Sequence, residues 1–281
     1  MSVWEALILG IVQGITEFLP VSSSGHLVLL QRIFGINEPS LVFETALHGG
    51  TLLAVIVVLW RDIWNILRRF FQPLTLYLVI ATIPTVIAAL LFKDQIEAAF
   101  ATGAFLGYAF LVTSALLFFS EMLFRRSKKS GGLMAELEGS SAARGKDEMN
   151  LTDALLIGLF QAIAIIPGIS RSGATISAAL SRRLDRDFAA RFSFLLSIPA
   201  IIGALILHAR ELAEIGSGDG TGTITLLPLA AGTISAAIVA FFSIRLILKI
   251  IRERSLHGFA IYTGILGIFV LIDKFGTRFF F

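Results

Sequence analysis

The chain has 281 residues, 56% of them hydrophobic and only 15% charged, with a mean hydropathy of +0.85 and a formal charge of +3. Soluble domains carry about a quarter charged residues, so this composition excludes one. Several apolar runs of about twenty residues point to a polytopic α-helical membrane protein, and the lack of cysteine removes disulfides and thiolate metal sites.

Residues 3–18 are apolar but too short to cross before Pro20, and residues 25–34 form a second short piece. The pair reads as a helix–loop–helix that enters the bilayer and turns back, part of the mature fold rather than a cleaved signal. Long apolar runs follow at about 43–60, 74–92 and 103–124. Residues 125–150 turn polar and read as a mobile loop dividing the chain. The pattern then restarts with a short run at 152–166, a break at 167–173 and a short run at 174–181. Three long runs complete it, at about 192–209, 225–248 and 258–275, with Gly216–Gly222 as a flexible connection. Trp4, Trp60 and Trp64 suit interfacial anchors, and Phe279–Phe281 a segment ending at the membrane surface.

The expected fold is therefore all-α: six transmembrane helices plus two re-entrant hairpins in one integral membrane domain spanning residues 1–281. Repeat one covers about 1–124 and repeat two about 151–281. Gly10/Gly158, Gln13/Gln161, Ser22/Ser170, Ser24/Ser172 and Gly25/Gly173 echo one another at a single offset of 148. Because each half holds three spans, an odd number, the repeats are expected to be inverted. Charge placement supports this. With the first hairpin on the outside, seventeen Lys and Arg fall on inner segments and five on outer ones. Reading 152–181 as one crossing gives twelve against ten and loses the positive-inside bias.

The chemistry concentrates in the two breaks. Gln13 and Glu17 lie at i, i+4, on one helix face, and a carboxylate in hydrocarbon is a functional candidate by default. Ser22-Ser23-Ser24-Gly25-His26 precedes a helix start, where hydroxyls cap free N–H groups and the terminus attracts anions. Ordinary capping accounts for one serine but not for three with a histidine. Ser170-Arg171-Ser172-Gly173-Ala174-Thr175 supplies a second helix start with a permanent cation suited to phosphate. Glu44 and His48 share a face at the start of a span and read as a satisfied interfacial pair. Two helix starts, an arginine, hydroxyls, a glutamate and a histidine suit a phosphate-bearing lipid. Composition alone does not separate hydrolysis from transport.

The stretch from Gln13 to His26 resembles the (Glu/Gln)-x-x-x-Glu and Pro-x-Ser-Ser-x-Gly-His signature of the bacterial undecaprenyl-diphosphate phosphatase (bacitracin resistance) family. Pro167 to Thr175 resembles that family's Pro-Gly-x-Ser-Arg-Ser-x-x-Thr motif. The resemblance implies a multi-pass hydrolase of the bacterial inner (plasma) membrane, its site open to the outer, periplasmic side. Such an enzyme removes the terminal phosphate of undecaprenyl diphosphate, recycles the lipid carrier of cell-wall synthesis and confers bacitracin resistance. It implies catalytic roles for Glu17, Ser23, His26 and Arg171, with Ser23 or His26 attacking phosphorus or activating water. Gln13, Ser22, Ser24, Gly25, Ser170, Ser172, Gly173 and Thr175 would bind substrate and phosphate. It also suggests a divalent cation, Mg²⁺ or Ca²⁺, at Glu17. The expected partners are undecaprenyl diphosphate and membrane lipids, with no nucleic acid; a homodimer is left open. A transporter or flippase of a prenyl-phosphate lipid is the competing class, and a lipid-phosphate receptor a third.

Overall fold

A computed structural model describes residues 1–36, 41–103, 105–138, 143–209, 212–213 and 225–277, among which there are helices and no β-strand. The expectations for Gly216–Gly222 and Phe279–Phe281 lie outside the described residues.

Helix α1 (Val3–Thr16) opens on a capping box: Ser2 Oγ accepts from the Glu5 N–H at 3.2 Å, and Glu5 accepts from the Ser2 N–H at 2.7 Å. Its 14 residues reach about 21 Å at about 1.5 Å per residue, short of the ~30 Å hydrocarbon core. The chain turns through Pro20 and resumes as α2 (Ser23–Ile33). This helix begins two residues earlier than the apolar pattern suggests, because the Ser22 side chain caps it. Next come α3 (Leu41–Val58), α4 (Trp60–Arg68), α5 (Pro73–Leu91), α6 (Lys93–Thr102) and α7 (Leu106–Glu138). Short α4 and α6 occupy stretches that hydropathy leaves as connections. On α4 the Trp60 and Trp64 rings stack at 5.7 Å, with Arg68 over Trp64.

One expectation is corrected here. Residues 125–138 are not loop but the end of α7, which runs 33 residues. Extending an existing helix avoids the nucleation cost, and the Lys, Leu, Met, Ala and Glu of this stretch are good helix formers.

The second short pair is α8 (Leu151–Ile163) and α9 (Arg171–Ser181); then α10 (Arg186–Leu207), α11 (Leu226–Glu253) and α12 (His257–Ile272) finish the chain. Six helices among the described residues are long and apolar enough to cross a membrane: Leu41–Val58, Pro73–Leu91, Leu106–Arg126, Arg186–Leu207, Leu226–Glu253 and His257–Gly276. Their outward faces are apolar, with Leu90, Leu227, Phe242 and Ile265 exposed, as lipid contact requires.

The two short pairs are gripped alike. Helix α1 lies against α11, and α8 against α5, while α7 packs on α12 and α3 on α11. A Cβ at Gly10 would stand 2.2 Å from the Gly232 carbonyl oxygen, and one at Gly158 2.5 Å from that of Ala81. Only glycine permits either approach. Buried apolar groups from both halves, among them Phe18, Val55, Ile157, Ile176, Phe192 and Phe194, share one core beneath the breaks.

Two buried carboxylates tie the basic segments down. Both oxygens of Glu121 accept from Arg186 Nη2, at 2.6 and 2.7 Å, and Glu121 also accepts from Arg125 at 2.8 Å and the Leu256 N–H at 3.2 Å. Asp153 accepts from Arg144 at 2.8 Å and Arg182 at 2.6 Å. Arginine's planar fork suits such multiply bonded contacts.

Candidate active site

Both breaks place the start of a short helix beside Glu17. Ser22 turns the chain at φ +72°, and its Oγ accepts from the Gly25 N–H at 3.2 Å. Ser170 does the same for the Gly173 N–H at 3.0 Å. The first free N–H groups of α2 and α9 therefore converge on one place, with the positive ends of both helix dipoles.

Two bonds stitch the breaks together. The Ser24 hydroxyl accepts from the Gly168 N–H at 3.2 Å, and the Ser172 hydroxyl donates to the Leu19 carbonyl at 2.9 Å. Thus an equivalent serine of each break reaches the tip of the other. Gly25 and Gly173 fit crowded helix starts: a Cβ at Gly25 would lie 2.6 Å from the Phe110 ring of α7, and one at Gly173 3.0 Å from Ser170 Oγ of its own break.

Glu17 is the hub. It is 5% exposed and sits at the C-terminal end of α1. Its Oε1 takes the Arg171 guanidinium as an ion pair from the opposite break. Its Oε2 accepts from the Ser23 hydroxyl at 2.6 Å and the Gln13 amide at 2.9 Å, with His48 Nε2 at 3.4 Å. A buried carboxylate is sustained only by such pairing and hydrogen bonding. Ser23 and Arg171 hold equivalent positions, each the first residue of its helix, and each holds one carboxylate oxygen.

The remaining expected residues fall into two groups. His26 stands apart from Glu17: its Nδ1 bonds the Ser22 carbonyl at 2.7 Å, its Nε2 the Tyr262 hydroxyl at 2.7 Å, and the two rings stack at 5.7 Å. Thr175 bonds back to the Arg171 carbonyl at 2.9 Å and meets Ser193 Oγ at 2.6 Å. Ser170 also donates its own N–H to the Thr113 hydroxyl oxygen, at 3.0 Å. Thus Gln13, Glu17, Ser23 and Arg171 form the polar contact itself. Ser22, Ser24, Gly25, Ser170, Ser172 and Gly173 build the loops that present it.

His48 is where sequence reasoning falls short. Read as an interfacial partner of Glu44, it instead turns its Nε2 to Glu17, while its Nδ1 is fixed on the Glu44 carbonyl at 2.7 Å. The Glu44 carboxylate accepts from Gln31 at 3.4 Å. The signal available was an imidazole on a buried helix face with no charged partner nearby in sequence other than Glu44.

The donor set does not fit a resident divalent cation. Mg²⁺ and Ca²⁺ require about six or more oxygens, whereas Glu17 is the single carboxylate here and both its oxygens already meet donors. Among the described residues no group of three or more His, Asp or Glu could hold a metal ion. Gln13 Oε1, buried and without a hydrogen-bond partner, is the one spare oxygen on this side chain pair.

Between the first break and the α11–α12 connection opens an apolar crevice of about 470 Å³, lined by Ile15, Thr16, Leu19 and Val21 and by Gly258, Phe259 and Tyr262 of α12. Tyr262 therefore joins the crevice wall to His26.

A family model described as bacitracin resistance protein BacA matches residues 6–269. The chain is 39% identical over 279 residues to the undecaprenyl-diphosphatase of Carboxydothermus hydrogenoformans, covering 99% of this chain and all of the relative. It is 42% identical to undecaprenyl-diphosphatase 4 of Bacillus thuringiensis subsp. konkukian, covering 96% and 97% of the two chains. To the undecaprenyl-diphosphatase of Halothermothrix orenii it is 40% identical, over 97% and 98%.

Proposed function

The chain belongs to the bacitracin resistance protein BacA family, and from that premise we propose how its site works as an undecaprenyl-diphosphate phosphatase. The enzyme is a multi-pass membrane hydrolase that removes the terminal phosphate of undecaprenyl diphosphate, leaving undecaprenyl phosphate and inorganic phosphate. Recycling of this cell-wall lipid carrier and resistance to bacitracin follow from that reaction.

One observation carries the mechanism: Ser23 Oγ lies 2.6 Å from a carboxylate that the Arg171 guanidinium holds from the other side. The diphosphate enters between the two helix starts, where free N–H groups and Arg171 neutralise its oxygens. As Arg171 turns from Glu17 to phosphate, the carboxylate loses a cation and becomes a stronger base. Ser23 Oγ then attacks the terminal phosphorus while its proton passes to Glu17. The bond from phosphorus to the bridging oxygen breaks, and undecaprenyl phosphate leaves with that electron pair. Water hydrolyses the phosphoserine, releasing inorganic phosphate. His26 suits a part in that second step, since Tyr262 holds its ring at the edge of the site. The arrangement favours Ser23 over His26 as nucleophile because Ser23, not His26, contacts the buried base.

The crevice suits the first isoprene units of the lipid, so the headgroup reaches the site while the tail stays in hydrocarbon. The two short helix pairs enter from opposite leaflets as inverted repeats, a reading favoured by the matching pairs α1 on α11 and α8 on α5. The enzyme lies in the bacterial plasma membrane with its site toward the outer face, a placement favoured by the distribution of Lys and Arg.

The test is phosphate release from undecaprenyl diphosphate by the purified protein in detergent, with rapid quench to trap phosphorylated Ser23. Turnover with that intermediate supports the mechanism. Turnover retained by Ser23→Ala, with no phosphoserine trapped in the parent, removes Ser23 as nucleophile. Binding without turnover, with lipid movement in sealed liposomes, would replace the enzyme by a transporter or flippase.

A further inference from the structure

We propose that His48 is a positioning residue of this reaction: it holds the Glu17 carboxylate against Ser23 once Arg171 has turned to the substrate. The inference rests on the phosphatase reading above and concerns the step at which that reading takes partners away from Glu17.

On Oε1 the partner is Arg171, whose side chain is 20% exposed against 3% for Glu17. The guanidinium can therefore swing to an incoming phosphate, and the carboxylate cannot follow it. On Oε2 the partners are Gln13, Ser23 and His48. Ser23 leaves this set as its oxygen bonds to phosphorus. Gln13 belongs to α1, as Glu17 does at that helix's end, so it fixes the carboxylate only relative to its own helix.

His48 alone of the three holds Glu17 from a neighbouring span. Its ring is locked by Nδ1–H, which donates to the Glu44 carbonyl one turn earlier in α3 at 2.7 Å, so the Nε2 that holds Glu17 donates as the second N–H of an imidazolium. Gln31 of α2 reaches the Glu44 carboxylate at 3.4 Å, so the helix that carries Ser23 is tied to the helix that carries His48. The path Gln31–Glu44–His48–Glu17 thus sets the base of α1 in register with the hydroxyl of α2. A misplacement of about 1 Å between reacting groups costs on the order of 10²-fold in rate. Charged or titratable groups facing His48 are Glu17 from α1, Arg171 from α9 and Glu44 on its own helix.

Phosphate release by His48→Ala should show kcat lowered about 10- to 100-fold with KM within about threefold of the parent. His48→Gln, whose amide can donate to the same oxygen, should recover most of the loss. A parental kcat in His48→Ala, a rise in KM alone, or a His48→Gln variant as impaired as the alanine would each overturn the proposal. A second readout does not use the diphosphate: the rate at which a fluorophosphonate labels Ser23 in detergent, with Ser23→Ala as blank. Labelling slowed in His48→Ala and restored in His48→Gln supports the positioning role, even where the parent releases no phosphate from undecaprenyl diphosphate. That last outcome would sink the phosphatase reading while leaving His48 in place. Equal labelling in all three proteins overturns the His48 proposal alone.

Discussion

The two breaks share a scaffold and differ in chemistry. Ser22 and Ser170 cap their helices on equivalent glycine N–H groups, and Ser24 and Ser172 each cross to the other tip. At the same offset, Glu17 corresponds to Ile165, Ser23 to Arg171, and His26 to Ala174. Backbone strain is shared out differently too: the positive φ falls on Ser22 in the first break and on Gly168 in the second. Equivalent positions thus build the cradle, and the positions that differ carry the carboxylate, a hydroxyl and the guanidinium. One break supplies Glu17 and Ser23, and the other supplies the Arg171 cation that pairs with Glu17.

The sharpest way to break this comparison is at its unequal positions. Ser23→Ala should lower kcat for phosphate release by about 10⁴-fold or more, as loss of a nucleophile does in other hydrolases. A protein that keeps a tenth of its rate would show that the two helix starts are catalytically alike. Next come Glu17→Ala and Arg171→Ala, each expected to lose about 10²- to 10³-fold in kcat/KM. Arg171→Ala should also destabilise the fold, because it leaves a buried carboxylate without its cation. Arg171→Lys is expected to restore stability better than turnover, since an ammonium lacks the planar fork.

The equal positions should respond equally. Ser22→Ala and Ser170→Ala each remove one N-terminal cap and should cost about 1 kcal/mol, measured by thermal unfolding in detergent. A large drop for Ser170→Ala alone would mean that its hydroxyl's contact with Ser172 Oγ, rather than capping, dominates. The smallest effect is expected at Gly258, which lines the crevice and has open space where a side chain would grow. Gly258→Leu should raise KM several-fold for undecaprenyl diphosphate and leave a short prenyl diphosphate nearly unaffected. Equal changes for both would place the tail elsewhere.

The sequence by itself determined the membrane class, the existence and order of the six long helices, the two interrupted pairs and the motif residues, though α10 starts at Arg186 rather than near 192 and α7 runs on to Glu138. Each of these rests on local properties, since a long hydrocarbon run must close its own hydrogen bonds and a serine before a glycine can cap a helix start. The polar segment after residue 124 misled for a related reason: polarity marks exposure to water, not absence of helix, and α7 continues through it. Tertiary structure alone decided which polar groups meet. Glu17 and Arg171 are 154 positions apart, His26 finds Tyr262 236 positions away, and His48 turns from its neighbour Glu44 to Glu17. No periodicity encodes those meetings. They arise because glycines let α1 sink against α11 and α8 against α5, bringing two helix starts to one carboxylate that hydrocarbon would not otherwise tolerate.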